Sequence, residues 1–475
     1  MFIKCDGAAL IPIAIIYFAL FFDFFLLEGF VNSNPNLAVL HGLEDTALTP
    51  VLAVCKFTMM LTCPLVALAS TRIAAHHILT IGIGFLALSA LLMAFSESVT
   101  MFAISKVAHG IASPSLTLSS MSILTYLAEE TTRGQYASYG YTAISHGLLT
   151  APFLTGLMID ELGQMWAFLI IFAIIAVNLS FSVLHFNDFA CLRPGRKMTP
   201  DGESPDVTDD KHGKQNVDEV SVTGSEPSSD KKDIKMFKPI NRAQFLSLLR
   251  TLMLNPRMLA AVTSCFLVGF SIGSNESVLP VILKREVKKD VLSERQSDLI
   301  WTAGSAAYMI FATLAGFFAD RIAPIKLVYG GMVGFILTFA FMPQVCSSLA
   351  GLISHITLTG SLTSFLDVAA YPLIASVVDT ADIPNAYVIG YSIEYCLEQA
   401  GYAIGQYSAE PLYKLKDSLE PVAYLVMGID TLLLLFSITV MFVYPADRFV
   451  VSKKTDQPEA TVSDSLEEGI IHEQD

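Results

Sequence analysis

Residues 18–30 read FALFFDFFLLEGF and set two carboxylates, Asp23 and Glu28, in a run of phenylalanine and leucine. A charged side chain at the centre of an apolar helix costs about 2.5–3.5 kcal/mol on insertion scales. Such an acid therefore holds a proton, faces water or binds a cation. The pattern recurs at Glu276, Asp367, Glu394, Glu398 and Asp430, each in an apolar stretch, whereas only Lys56 and Lys106 answer them as bases. Lys56 is expected to pair with one or two of the acids. The remaining excess attracts an organic cation and holds protons whose loss depends on that cation. Two cations competing for the same carboxylates is the minimal physics of antiport. Asp23 and Glu28 are five residues apart, about 140° round a helix, so they occupy different faces. Glu28 reads equally as an interfacial residue near the lumenal end. Glu394 and Glu398 share a face at i, i+4, and their repulsion favours one of them holding a proton. His109 and His146 read as helix–helix hydrogen-bonding residues ahead of proton relays. His76 and His77 read as solvated loop residues rather than metal ligands.

The elements that must carry these residues are membrane spans. The 475-residue chain is 53% hydrophobic and only 15% charged, against roughly 25% charged in soluble domains, and its mean hydropathy is +0.56. A net charge of −15 argues against nucleic acid as a partner. The seven cysteines are scattered, with no CxxC and no His/Cys ligand spacing, so neither a disulfide framework nor a metal site is expected. No cofactor is implied. The sequence lacks HExxH, GxSxG and Walker-type motifs, so no enzyme is expected. A span needs about 20 apolar residues, and twelve such stretches are present. The first has only Lys4 before it and no small-residue cleavage site after it, which reads as a span and not a signal peptide. The predicted fold class is an all-α membrane protein of twelve transmembrane helices in two six-helix halves. Residues 1–190 form the first half, 191–255 a largely disordered cytoplasmic linker, 256–445 the second half and 446–475 an acidic cytoplasmic tail. Lys and Arg favour the loops after the even-numbered spans, which puts both termini in the cytoplasm; KREVKKDVLSER after the seventh span departs from this rule. LASTRIAAHHIL (68–79) and FFADRIAPIKLV (317–328) place Arg-Ile-Ala at the same point of each half, the mark of an internal repeat. Asp320 and Arg321 in the second copy are expected to brace neighbouring helix ends, and Arg72 in the first to do so more weakly, because Thr71 stands where the acid would be.

Several stretches resemble one family. ALFFDFFLL surrounds Asp23, CKFTMMLTCPLVALASTRIA contains Lys56, and SNESVLPVIL contains Glu276. AAYMIFATLAGFFADRIA contains Tyr308, SFLDVAAYPLIASVVD holds Asp367 and Asp379, and GYAIG and MGIDTLL, with Asp430, follow. HGLLTAPFLTG, with Gly147, Pro152 and Gly156, resembles an antiporter signature whose physical content is close helix packing and a kink. Together these resemble the vesicular amine transporter family of the major facilitator superfamily, over all twelve spans and outside the linker and tail. The resemblance implies proton-coupled antiport of an amine or polyamine by alternating access. It implies substrate contacts at Asp23, Glu276, Tyr308, Glu394 and Tyr395. It also implies a charge network of Asp23, Lys56, Asp367, Glu398 and Asp430, in which Lys56 balances Asp23 and Asp430. The partners are then a small organic cation, protons and the lipid bilayer. The expected location is a vesicle or other acidic organelle membrane, or alternatively the plasma membrane.

The departures mark a divergent member. Tyr395 stands where the family has an Asp in the eleventh span, with Glu394 beside it and Glu398 one turn on as candidate replacements. Lys106 stands for an Arg. The first lumenal loop, VNSNPNLAVLHGLEDTA, is short and has no glycosylation sequon. The additional acids favour a polyvalent cation such as a polyamine. The competing readings are efflux of drugs or other small molecules on the same fold, and a transporter-derived sensor that binds without cycling.

Overall fold

A computed structural model describes residues 10–42, 49–190, 241–288, 294–380, 386–416 and 418–444. The described residues are helical, and no strand occurs among them. The first half holds α1 (Leu10–Leu40), α2 (Thr49–Ser70), α3 (Ala75–Ala94), α4 (Val99–Leu127), α5 (Arg133–Leu162), α6 (Gln164–Leu184) and the short α7 (Phe186–Ala190). The second part holds α8 (Arg242–Leu254), α9 (Pro256–Lys288), α10 (Glu294–Ala319), α11 (Pro324–Ala340), the single-turn α12 (Met342–Val345), α13 (Leu349–Asp379), α14 (Ala386–Lys416) and α15 (Glu420–Val443). Among the described residues, nine helices are long and apolar enough to cross a membrane. Of the other long helices, α11 has 17 residues. The remaining two, α4 and α14, are diluted by polar and charged side chains, among them the buried Lys106, His109 and Glu394.

The packing repeats. In the first half α1 lies on α5, α4 on α2 and α3, and α3 on α6; in the second α9 lies on α14, α13 on α10 and α11, and α11 on α15. The halves meet where α5 packs on α10 and α2 on α14. Glycine sets the closest crossings. Gly269 and Gly273 of α9 face the Glu398 and Tyr402 carbonyls of α14, while Gly401 and Gly405 of α14 face the Phe266 and Phe270 carbonyls in return. This reciprocal small-xxx-small contact lets two backbones approach without side chains between them. Gly147 plays the same part against the Phe21 carbonyl of α1. The outer surface carries Phe153, Leu184, Leu432 and Phe442, all strongly exposed. Such an apolar belt suits hydrocarbon rather than water.

Four local readings are corrected. α1 continues as a helix to Leu40, through residues expected to form the first loop. Residues 242–254 of the expected linker form α8, started by a capping box in which the Asn241 side chain accepts from Gln244 N (2.8 Å) and the Gln244 side chain from Asn241 N (3.0 Å). His76 is not a solvated loop residue. It lies in the first turn of α3, buried against Phe186 of α7 at 4.6 Å between ring centres. Gly156 makes no close helix contact, since a Cβ there would meet nothing within 4 Å. The linker residues 191–240 and the tail residues 445–475 lie outside the described residues.

Candidate functional site

The interior of the first half is built on Asp23. Its carboxylate is 1% exposed in the wall between α1 and α4. His109 Nε2 approaches Oδ1 at 2.9 Å and the Ser113 hydroxyl donates to Oδ2 at 2.8 Å. His109 and Ser113 are i, i+4 on α4, so one helix face supplies both. Lys106, one turn before His109, is also fully buried; its Nζ donates to the Leu26 carbonyl at 3.2 Å and lies 4.3 Å from the centre of the Phe30 ring. It stands 3.4 Å from His109 Nδ1. An ammonium donates and does not accept, so Nδ1 is the acceptor and the imidazole proton sits on Nε2, facing Asp23. The carboxylate thus has a partner at each oxygen and a cation beyond the imidazole. Ser113 spends its one proton on Asp23, so the Tyr395 hydroxyl of α14, 3.1 Å away, donates to Ser113 Oγ. That relay crosses from one half to the other.

The second half collects acids with fewer partners. Tyr308 of α10 donates to Asp367 Oδ2 of α13 at 2.8 Å. Glu394 is buried beside Cys265 and Tyr371, and its Oε2 has no hydrogen-bond partner. Glu398 acts electrostatically on both Asp367 and Glu394. Aromatic rings line this region: Tyr141 of α5 lies 6.3 Å from Tyr308 and 5.5 Å from Tyr371, and Tyr371 lies 4.4 Å from Tyr391. Carboxylates backed by ring faces suit an organic cation. Lys56 of α2 packs over the Tyr402 ring at 4.1 Å, and its charge acts on Glu398 and Glu276. Glu28 also acts on Glu276, which puts it within electrostatic reach of α9. Asp430 is fully buried on α15, where Ser271 of α9 donates to Oδ2 at 3.2 Å and Oδ1 has no partner.

The halves are clamped at the end that carries the α2–α3 and α10–α11 turns, called the basal end. Arg133, at the start of α5, pairs with Asp379, at the end of α13, at 2.6 Å. The Tyr387 hydroxyl of α14 donates to the same carboxylate, and Thr125 of α4 bonds the Tyr391 hydroxyl at 2.7 Å. Asp320 accepts from the backbone N–H of Gly134 (2.7 Å) and Gln135 (3.1 Å), so a carboxylate of one half caps the first turn of a helix in the other. Burial raises its carboxyl above the ordinary aspartate range, and these two amides oppose that shift.

Of the expected site residues, Tyr308 bonds Asp367, and Tyr395 reaches Asp23 through Ser113. The Asp23–Lys56–Asp430 network is not assembled in this conformation. Asp23 takes its polar contacts from α4, Lys56 turns to Tyr402 and the acids of α9 and α14, and Asp430 bonds Ser271. Of the brace residues only Asp320 reaches across. Arg321 folds back on its own helix, donating to the Phe317 carbonyl at 3.1 Å and stacking on that ring. Arg72 is exposed, and its side chain makes no hydrogen bond or ion pair among the described residues. His146 bonds the Tyr17 hydroxyl of α1, the helix–helix role expected of it. Sequence reasoning missed Ser113, Arg133 and Tyr387, and left His109 outside the site. The spacing Lys106-x2-His109-x3-Ser113 on one face of α4 was the available signal.

A family model described as Major Facilitator Superfamily matches residues 13–291, more than half of the chain. No curated protein matches the chain. The match runs from α1 through the whole first half into α9, and the helix pairing of that half recurs in the second. The chain belongs to the major facilitator superfamily and is a multi-pass membrane transporter for a small molecule.

Proposed function

We propose that the protein exchanges protons for an organic cation by alternating access, as the resemblance to vesicular amine transporters implies. The basal end then faces the cytoplasm, and residues 1–190 and 256–445 are the two halves that rock about the central acids. The observation that carries this reading is the buried Asp23–His109 pair, joined through Ser113 to Tyr395 of the opposite half. A cation arriving at Asp23 competes with His109 for the carboxylate, and a proton arriving there breaks the same pair. Either event alters a contact between the halves, which is the coupling an exchanger needs. Glu394, Glu398 and Asp367, with the tyrosines around them, supply the second wall of the cation site. Each proton moved down one pH unit supplies about 1.4 kcal/mol, enough for about tenfold accumulation of substrate.

The test is uptake into proteoliposomes with an acidic lumen, with labelled monoamines, choline esters and spermidine offered in turn. Uptake that collapses with a proton ionophore and is absent in Asp23→Asn is the expected result, and the substrate that enters names the class. Folded protein that moves none of these cations down an imposed proton gradient refutes the proposal.

A further inference from the structure

Helix α2 carries Pro64 in its interior. Proline has no N–H, so the carbonyl four residues earlier, that of Met60, loses its helical donor. The thiol of Cys396, on α14 of the other half, takes that place, with Sγ 3.6 Å from the Met60 oxygen. A helical carbonyl points toward the C-terminal turn, so a thiol on Met60 O lies over the turn that holds Cys63. The Cys396 thiol on the Met60 carbonyl and the Cys63 thiol on the Met59 carbonyl thus sit on consecutive carbonyls of the same turn. Cys63 is fully buried, with its own thiol on the Met59 carbonyl at 3.1 Å, whereas Cys396 is partly exposed. The pair therefore has one reachable sulfur and one shielded sulfur, on the two helices that join the halves at this point.

We propose that Cys63 and Cys396 form a redox site whose oxidised state is a disulfide bolting α2 to α14. A hydroperoxide oxidises the reachable thiol, giving the Cys396 sulfenic acid and the corresponding alcohol or water. The Cys63 sulfur then attacks the Cys396 sulfur, the S–S bond forms and water leaves. A dithiol reductant reverses the bond. Alternating access requires α2 and α14 to move relative to one another, so the bonded form is held in one conformation. This inference stands apart from the identity of the substrate.

The experiment treats the full chain in native membranes with hydrogen peroxide, blocks free thiols with a maleimide and maps disulfides by mass spectrometry without reduction. A linked peptide pair containing Cys63 and Cys396 is expected in the wild type, lost after dithiothreitol and absent in Cys396→Ser. Oxidation of Cys396 to sulfinic acid without the linked pair overturns the proposal, as does full maleimide labelling of both residues after peroxide. The wild-type measurement decides the matter even if a serine variant folds poorly.

Discussion

Asp379→Asn tests whether the basal clamp holds the two halves in the observed conformation. The substitution keeps the shape and removes the charge facing Arg133, 2.6 Å away. Arg133 is 9% exposed and Asp379 21%, and Arg133 Nε already lacks a partner. Removing one partner of a fully buried pair costs about 3–5 kcal/mol, because the other charge is left stranded. Water reaches the Asp379 side of this pair, so we discount that to about 2 kcal/mol. The cost falls on the closed end only. Arg133 and Asp379 belong to different halves, and once the halves part each is hydrated separately. A loss of about 2 kcal/mol moves the closed-to-open ratio about 30-fold toward open. Ser138 of α5 reports that motion, because it packs against Gly316 of α10 across the seam. In a chain with its native cysteines replaced by serine, Ser138→Cys is labelled by a polar maleimide only when the basal end opens. Asp379→Asn is expected to speed labelling about 30-fold, and adding Arg133→Gln to bring it part of the way back. A rate within about twofold of the parent, in protein that is monodisperse and bilayer-competent, refutes the clamp.

Two further expectations follow from particular contacts. A Cβ at Gly269 would stand 2.1 Å from the Glu398 carbonyl oxygen, where only backbone could yield, whereas one at Gly156 would meet nothing within 4 Å. Gly269→Val is expected to cost more than about 3 kcal/mol and lose the monodisperse peak on size exclusion, while Gly156→Ala leaves the Tm unchanged or higher, by up to about 1 kcal/mol of helix propensity. Asp320 holds its proton more tightly when buried at the closed end than it does in water. Closing is therefore favoured as pH falls through the acid range and loses that contribution as pH rises through the raised value. Ser138→Cys labelling should slow on the basal side as pH falls, and Asp320→Asn should flatten that dependence.

Much of the fold was legible because a span declares itself by length and apolarity alone. Even α4 and α14, too polar to pass as spans by composition among the described residues, lie within the twelve apolar stretches that the sequence shows. The acids were legible for a similar reason: Asp23, Asp367, Glu394 and Asp430 stand out against their neighbours whatever the tertiary structure. Their partners were not, because a partner is chosen by how two helices cross. Lys56 was expected to serve Asp23, yet the α1–α4 contact brings His109 and Ser113 there instead and leaves Lys56 to α14. The first-turn contact of Asp320 with Gly134 depends on α5 and α10 approaching at two glycines, and neither sequence segment shows that alone. The α8 helix was hidden by the polar residues before it, although NRAQ carried its capping signal.

The two halves divide the electrostatic work unequally. In the first, one carboxylate has a partner at each oxygen and a lysine beyond the imidazole. In the second, Glu394 and Asp430 each keep an oxygen without a hydrogen bond, and Glu398 faces Lys56 from across the seam. Helix α14 carries the contacts between these two environments: Tyr395 to Ser113, Cys396 to Met60 and Tyr402 to Lys56. A carboxylate at position 395 would stand one serine away from Asp23, and the two charges would repel across a dry gap. Tyrosine donates there instead, so the link strengthens when Asp23 is ionised and weakens when a proton neutralises it. Glu394 points about 100° away on the same turn, toward the second half's own cluster, and Glu398, one turn on, lies in reach of both that cluster and Lys56. What stands at position 395 is a donor joined through Ser113 to the Asp23 carboxylate.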